Sequence, residues 1–142
     1  MFLPVGLNLK NKKILIVGAG AATAQKIRAL KKYQARITLL APEIKFPTRY
    51  KKLKKTYAPA DLAGYALVYA CTNDRKLNKQ IAVDARRRNI LVNVCDAPQY
   101  SDFISPAIYK RGIMSAAVFS DGRNVRRSLA WREKIGKIFQ KG

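Results

Sequence analysis

The stretch KILIVGAGAAT, residues 13–23, decides how the rest of the chain is read. Its first half, Lys13 to Val17, is a short apolar run rich in β-branched residues between Lys12 and Gly18, which marks a buried strand. Its second half is a glycine-containing turn that opens a helical pattern. From about residue 21 to 33, Ala24, Ile27 and Leu30 fall on one face while Lys26, Arg28, Lys31 and Lys32 fall elsewhere. RITLL (36–40) then makes a second strand, ended by Ala41-Pro42. Strand, helix and strand in so short a span form a βαβ unit, and strands joined by such a crossover run parallel.

The turn itself, GAGAAT (Gly18 to Thr23), carries chemistry. Gly18 allows a tight turn, Gly20 lets the backbone approach a pyrophosphate, and the helix amides behind them face that anion. The third fingerprint position is Thr23 instead of Gly or Ala. Because the turn sits between a strand and a helix, it reads as a nucleotide-binding turn, with a purely structural turn as the alternative. The acid that grips an adenosine ribose belongs about 20 residues on, at the end of the second strand. Leu40 and Ala41 stand there, and the first carboxylate is Glu43, which either reaches the ribose from the next loop or is a solvated surface residue. Arg36 and Lys45 nearby leave NADP open beside NAD.

Farther along, a short helix is expected near 48–54 and a strand at 55–58. YALVYAC (65–71) is a strand, a helix follows at about 74–88, and ILVNVC (90–95) is another buried strand. The rhythm then changes. FISPAIY (103–109) and IMSAAVF (113–119) read as a hairpin linked by Lys110-Arg111-Gly112. A last helix over about 124–139 is expected to bury Val125, Leu129, Ile135, Ile138 and Phe139.

Two loops leave the carboxyl ends of parallel strands, where such sheets bind ligands. Thr72-Asn73-Asp74 either lines the crevice or serves as a helix cap through Thr72 or Asn73. Asp96, at the end of ILVNVC, is either an Asx-turn residue or a functional carboxylate at the mouth of the crevice.

Composition bounds the function. The chain has 142 residues, 49% of them apolar, so its formal charge of +21 sits on a globular sequence and not on a disordered basic tail. It contains no histidine, which excludes His-ligated metal sites and Ser-His-Asp or Cys-His catalysis within the chain. An anionic partner is expected: nucleic acid, an acidic membrane surface or a polyanionic small molecule. No apolar run spans a membrane and the N-terminus does not read as a signal peptide, so a cytoplasmic protein is expected. Cys71 and Cys95 form no CxxC pair and read as buried reduced thiols.

Taken in order, LPVGLNLKNKKILIVGAG, AQK, RITLLAPE, ACTND with LN, ILVNVCDAP, DFISPAI, and RG with AAVFSDG resemble the precorrin-2 dehydrogenase module of siroheme synthesis, from Leu3 to about Lys134. The resemblance implies an α/β, Rossmann-like parallel sheet with helices on both faces, followed by a β-hairpin and helix that dimerise. It places an NAD-binding domain at 1–102 and the dimerisation element at 103–142. It implies NAD-dependent oxidation of precorrin-2 to sirohydrochlorin by a homodimer. By position, Gly18, Gly20, Ala21 and Ala22 would meet the cofactor pyrophosphate, Pro42 and Glu43 would border the adenosine, and Thr72 and Asn73 would line the crevice. Asp96 matches the aspartate proposed as catalytic in the family, and Ser120 falls in a loop near the tetrapyrrole.

The chain departs from the family pattern at Thr23 and over Ser120 to Val125, and it ends before most of the helical region of longer members. Some members also insert iron into sirohydrochlorin; the shortened end and the lack of histidine leave that activity unsupported here. Basic clusters at Lys45–Lys55, Arg86–Arg88 and Arg123, Arg126 and Arg127 would attract a polycarboxylate macrocycle, or are solvated faces. Two other readings stand beside the enzyme: a nucleotide-binding regulatory protein without catalysis, and a nucleic-acid-binding module using Tyr33, Tyr50, Tyr57 and the basic helices.

Overall fold

In the computed structural model, which describes residues 1–140, KILIV forms β1 (Lys13–Val17). It pairs in parallel with β2 (Arg36–Leu40) on one side and with β4 (Leu67–Ala70) on the other. Beyond β2 lies β3 (Lys51–Leu53), and beyond β4 lies β5 (Leu91–Val94), giving the order β3-β2-β1-β4-β5. The chain therefore travels outward from β1 through β3 and returns to the other flank of β1 for β4. That reversal brings the loops after β1 and β4 side by side at the carboxyl edge, where a parallel sheet leaves room for a ligand.

Both faces of the sheet are covered, which is why β1 shows no polar alternation. Leu15 and Val17 point into a cluster with Ile81, Ala82 and Ala85 of α2 (Arg75–Arg87). Ile14 and Ile16 point the opposite way, into a cluster that includes Leu30 of α1 (Ala21–Leu30). Each fully buried Leu or Ile in these layers contributes on the order of 2 kcal/mol.

The helix expected near 48–54 is instead the edge strand β3, and the strand expected at 55–58 is absent; a 3-10 turn follows at Pro59–Leu62. The backbone of Lys51–Leu53 completes the open ladder of β2, and the exposed Lys51 and Lys52 guard the edge against pairing with another chain. Cys71 and Cys95 also differ from expectation. They follow adjacent parallel strands, their Cα atoms are 5.1 Å apart, and their sulfurs are joined in a disulfide.

The chain separates into two units, Gly6–Phe103 and a second made of Met1–Val5 with the residues from Ile104 onward. In the second, β6 (Ala107–Arg111) and β7 (Met114–Val118) form a hairpin with Arg111 opposite Met114. The turn is thus Gly112-Ile113, not Lys110-Arg111-Gly112, and Gly112 takes φ +57° there. Within this unit the Phe2 amide donates to Asp121 Oδ1 at 3.1 Å.

Helix α3 (Val125–Gln140) turns a face to the hairpin other than the one its apolar residues suggest. Ser128 and Gly136 are buried, whereas Val125 is 61% exposed, Ile138 69%, Leu129 40% and Phe139 42%; Ile135 is half-buried. Close approach explains the choice: a Cβ at Gly136 would come within 2.8 Å of the Tyr109 ring. No helix among the described residues is long and apolar enough to cross a membrane.

Candidate functional site

Two features of the β1–α1 turn follow from its glycines. Gly18 adopts φ +118°, and a Cβ there would lie 2.2 Å from the Cys71 carbonyl oxygen, so only glycine lets β1 and β4 end this close together. Gly20 is the N-cap of α1, with no side-chain cap and no acid in the first turn. The first amides of α1 therefore lack the usual internal acceptor, and nothing negative on the helix competes with an incoming anion. Thr23, the departure from the fingerprint, is fully buried in the same helix.

The turn forms part of the wall of a cavity of about 530 Å³. Six of the residues expected to meet a cofactor line it: Gly18, Gly20, Pro42, Glu43, Thr72 and Asn73. The cavity thus runs along the carboxyl ends of β1, β2 and β4. Its volume lies within the range of small-molecule and cofactor sites. Ala21 and Ala22 belong to the first turn of α1 but are not among the lining residues. Glu43 pairs with Lys45 at 3.3 Å, both well exposed, an interaction that contributes well under about 1 kcal/mol.

Residues that the sequence reading did not single out hold this wall in place. Asn78, buried in α2, accepts from the Thr72 amide at 3.1 Å and from Thr72 Oγ1 at 2.6 Å, and donates to the Thr72 carbonyl at 2.9 Å. The helix cap is neither Thr72 nor Asn73 but Asp74, whose Oδ1 accepts from the Lys76 and Leu77 amides. Thr72 is thereby left facing the cavity while a neighbour closes the helix.

On another side Tyr57 lines the cavity, and its hydroxyl donates to Asp84 Oδ2 at 3.0 Å. Asp84 is buried in α2 and also accepts from Gln80 Nε2 at 2.9 Å. Burial first, and the Asp84 bond second, push the Tyr57 phenol above its ordinary pKa. The clue in the sequence was a polar residue, Asn78 or Asp84, set within the buried stripe of an amphipathic helix.

Asp96 lies outside the cavity lining, one strand over, beyond the carboxyl end of β5. The Cys95 amide donates to the Ala70 carbonyl at 2.9 Å, and the Ala97 amide donates to Val94 at 3.2 Å, closing a turn with Asp96 at φ +63°. Aspartate tolerates that left-handed conformation better than most residues, and the turn leaves its side chain exposed. Its neighbour Cys95 is bonded to Cys71, which is itself part of the cavity wall. Across the sheet face under α1, Lys26 is held below its ordinary lysine pKa by burial, with the charge of Asp96 acting in the opposite direction.

Ser120 belongs to the second unit, where its Oγ accepts from the Asn124 amide at 3.2 Å and from Ser128 Oγ at 2.9 Å, organising the start of α3. Among the described residues no group of three or more His, Cys, Asp or Glu is arranged to hold a metal ion.

The chain matches a family model described as "Putative NAD(P)-binding" over residues 5–107. It is 37% identical over 128 residues to a siroheme synthase of Methylobacillus flagellatus, an alignment covering 84% of this chain and 27% of that protein. It is 35% identical over 149 residues to a siroheme synthase of Blochmanniella pennsylvanica, covering 99% of this chain and 31% of the relative. The chain therefore spans less than a third of the length of these relatives. Among solved structures, SirC, a precorrin-2 dehydrogenase, superposes with a TM-score of 0.79 at 23% identity, covering 96% of this chain and 70% of that one, a likeness of fold.

Proposed function

Because the chain belongs to the NAD(P)-binding family matched over residues 5–107, we propose that it is a nicotinamide-dependent precorrin-2 dehydrogenase that forms sirohydrochlorin. The observation that carries the nucleotide half of this reading is the uncapped start of α1 opening onto the cavity beside Gly18 and Gly20. That cradle fits a diphosphate: free amides face it, and Gly20 has no atom within 4 Å of where a Cβ would stand. The dehydrogenase half rests on the siroheme synthase relatives and on a carboxylate, Asp96, at the same edge of the sheet.

NAD is proposed over NADP. Pro42 and Glu43 line the cavity where the second strand ends, and a carboxylate there accepts from a ribose hydroxyl but repels a phosphate. Thr72 and Asn73 wall the opposite side. When bound, the cofactor supplies the hydride acceptor, and the protein's own task is alignment and proton handling. Asp96 is proposed as the group that takes the proton lost by the macrocycle, with Ser120 as a substrate contact. Ala21 and Ala22, in the first turn of α1, contribute backbone amides to the anion site. The basic surface attracts the carboxylates of precorrin-2 and speeds encounter.

A second copy of the chain is proposed to cover the second unit. Val125, Leu129, Trp131, Ile138 and Phe139 of α3 stand exposed, with Ile113 and Met114 of the hairpin. Even with Phe139 stacked on Tyr109 and Arg127 over Trp131, these side chains leave apolar surface uncovered among the described residues. The domain division proposed is 1–102 for cofactor binding and 103–142 for dimerisation, in a cytoplasmic setting where NAD and the pathway intermediates meet.

The test compares wild type with Asp96→Asn, given NAD and precorrin-2 without oxygen. Wild type is expected to form sirohydrochlorin and the variant to do so at least about a hundredfold more slowly, as loss of a general base implies. Equal rates would remove Asp96 from the chemistry.

A further inference from the structure

The disulfide between Cys71 and Cys95 joins the cavity wall to the turn that carries Asp96. Cys71 lines the cavity and precedes Thr72, whereas Cys95 precedes Asp96 and lies outside the lining. Ala70 of β4 pairs in register with Val94 of β5, so each cysteine is the first residue past its strand, and their Cα atoms are 5.1 Å apart. Backbone bonds hold both ends independently of the sulfurs. The Cys71 amide donates to the Val17 carbonyl at 2.8 Å, and the Cys95 amide to the Ala70 carbonyl at 2.9 Å. With the bond open, the sheet still keeps the two thiols within bridging distance, so it can close again without refolding.

The strand order sets where this bond stands along the cavity. The diphosphate is read onto the Gly18–Gly20 turn after β1, and the adenosine onto Pro42 and Glu43 after β2. The other half of a dinucleotide then extends to the opposite flank of β1, across the ends of β4 and β5, where the two cysteines are. Both belong to the apolar layer that also takes in Ala19 and Ala22 at the start of α1. Cys71 is nearly fully buried and Cys95 is half-buried.

We propose that Cys71–Cys95 is a reversible thiol–disulfide site at the nicotinamide end of the cavity: the bonded form holds the Asp96 turn to the cavity wall, the dithiol form releases it, and bound cofactor covers the bond. This rests on the readings of the cavity as the cofactor site and of Asp96 as proton acceptor. In the cytoplasmic setting proposed above, disulfides are uncommon, and those that occur are mostly transient or redox-sensing. The reductant is a small dithiol. Its thiolate attacks one sulfur and forms a mixed disulfide, while the other cysteine leaves as a thiolate and takes up a proton. The second thiol of the reductant then breaks the mixed disulfide, so that a cyclic disulfide departs and two cysteine thiols remain. Two electrons and two protons pass from reductant to protein, and glutathione disulfide reverses the exchange.

The experiment treats the folded protein with dithiothreitol, alone or with saturating NAD or AMP, and counts thiols by alkylation and mass spectrometry. Reduction is expected to give two thiols in a protein that keeps its circular dichroism and a cooperative melt, and glutathione disulfide restores the bond. NAD slows reduction about fivefold or more because its nicotinamide half covers the sulfurs, whereas AMP, which lacks that half, changes the rate by less than about twofold. In turnover of precorrin-2 at saturating NAD, the reduced protein shows a kcat about three- to thirtyfold lower, the effect of loosening a group that must be aligned. Reoxidation restores that kcat. Cys95→Ser, or Cys71→Ser should the first not fold, matches the reduced wild type and does not respond to dithiothreitol.

Equal reduction rates with and without bound NAD overturn the proposal, and so does protection by AMP as strong as by NAD. Thiols that fail to rejoin in the folded protein overturn it too, as does a chain that unfolds on reduction, which makes the bond purely structural. Equal kcat in the two forms removes the link to Asp96 and overturns it likewise. A protein that binds NAD yet never oxidises precorrin-2 removes the dehydrogenase reading instead, and the shielding and rejoining results then decide the thiol–disulfide site by themselves.

Discussion

The α-carbon of Gly18 stands against the carbonyl of Cys71, so close that a methyl group on Gly18 would overlap the carbonyl oxygen at 2.2 Å. This contact sets how near the ends of β1 and β4 lie, and hence the width of the crevice between their loops. Gly20, two residues on, meets nothing within 4 Å and has φ −95°. The two glycines therefore answer different demands: Gly18 is required by the fold, and Gly20 is proposed to serve binding.

Gly18→Ala is expected to cost about 3 kcal/mol or more, through the overlap and the positive φ together, and to lower the melting temperature clearly. Gly20→Ala leaves stability within about 0.5 kcal/mol, since its backbone suits any residue and the site is open. The same substitution weakens NAD binding by about tenfold or more, because the methyl group stands over the amides that face the diphosphate. Melting curves and calorimetric titration separate the two effects.

Asn78 fixes the loop after β4 through three hydrogen bonds to Thr72. Asn78→Ala leaves the Thr72 amide and carbonyl short of partners near the protein interior, a loss of about 2 kcal/mol. The loop that walls the cavity loosens, so KM for NAD rises while Asp96 chemistry at saturating cofactor is little changed. A fall in kcat with unaltered KM would contradict this assignment.

The Tyr57 hydroxyl completes the hydrogen bonding of buried Asp84. Tyr57→Phe costs about 1–3 kcal/mol near neutrality. The folded protein holds the phenolic proton more tightly than the unfolded chain does. Stability tied to that proton is therefore whole below the ordinary tyrosine pKa of about 10 and is lost as pH rises through and beyond it. The stability gap between wild type and Tyr57→Phe is expected to stay constant from neutral pH to about 10 and to shrink above it. Denaturant titrations at several alkaline pH values check the direction.

Much of this molecule is legible in its sequence because burial on both faces leaves a strong signature. KILIV, RITLL and YALVYAC announce β1, β2 and β4, and the glycine turn marks the edge of the sheet where the cavity lies. Lys51–Leu53 escaped the same reading because its side chains are two lysines and one leucine; what makes it a strand is the vacant ladder of β2, a partner no local pattern reveals. Helix α3 misled for a related reason. Its apolar residues predict a buried face, but the small Ser128 and Gly136 pack inward, Ile135 is only half-buried, and Val125, Leu129 and Ile138 remain exposed. At the site, Gly18, Gly20, Pro42, Glu43, Thr72 and Asn73 gather in one cavity, whereas Asn78, Asp84 and the Cys71–Cys95 bond emerge only from tertiary contacts.

This chain is proposed to couple oxidation of precorrin-2 to reduction of a nicotinamide cofactor. The most direct measurement follows absorbance of the reduced nicotinamide and of sirohydrochlorin together, in one anaerobic cuvette holding the purified protein, NAD and precorrin-2. The two are expected to appear in equal amounts, at a rate proportional to protein concentration. Sirohydrochlorin forming without reduced nicotinamide, or neither forming with a folded protein that binds NAD, would contradict it.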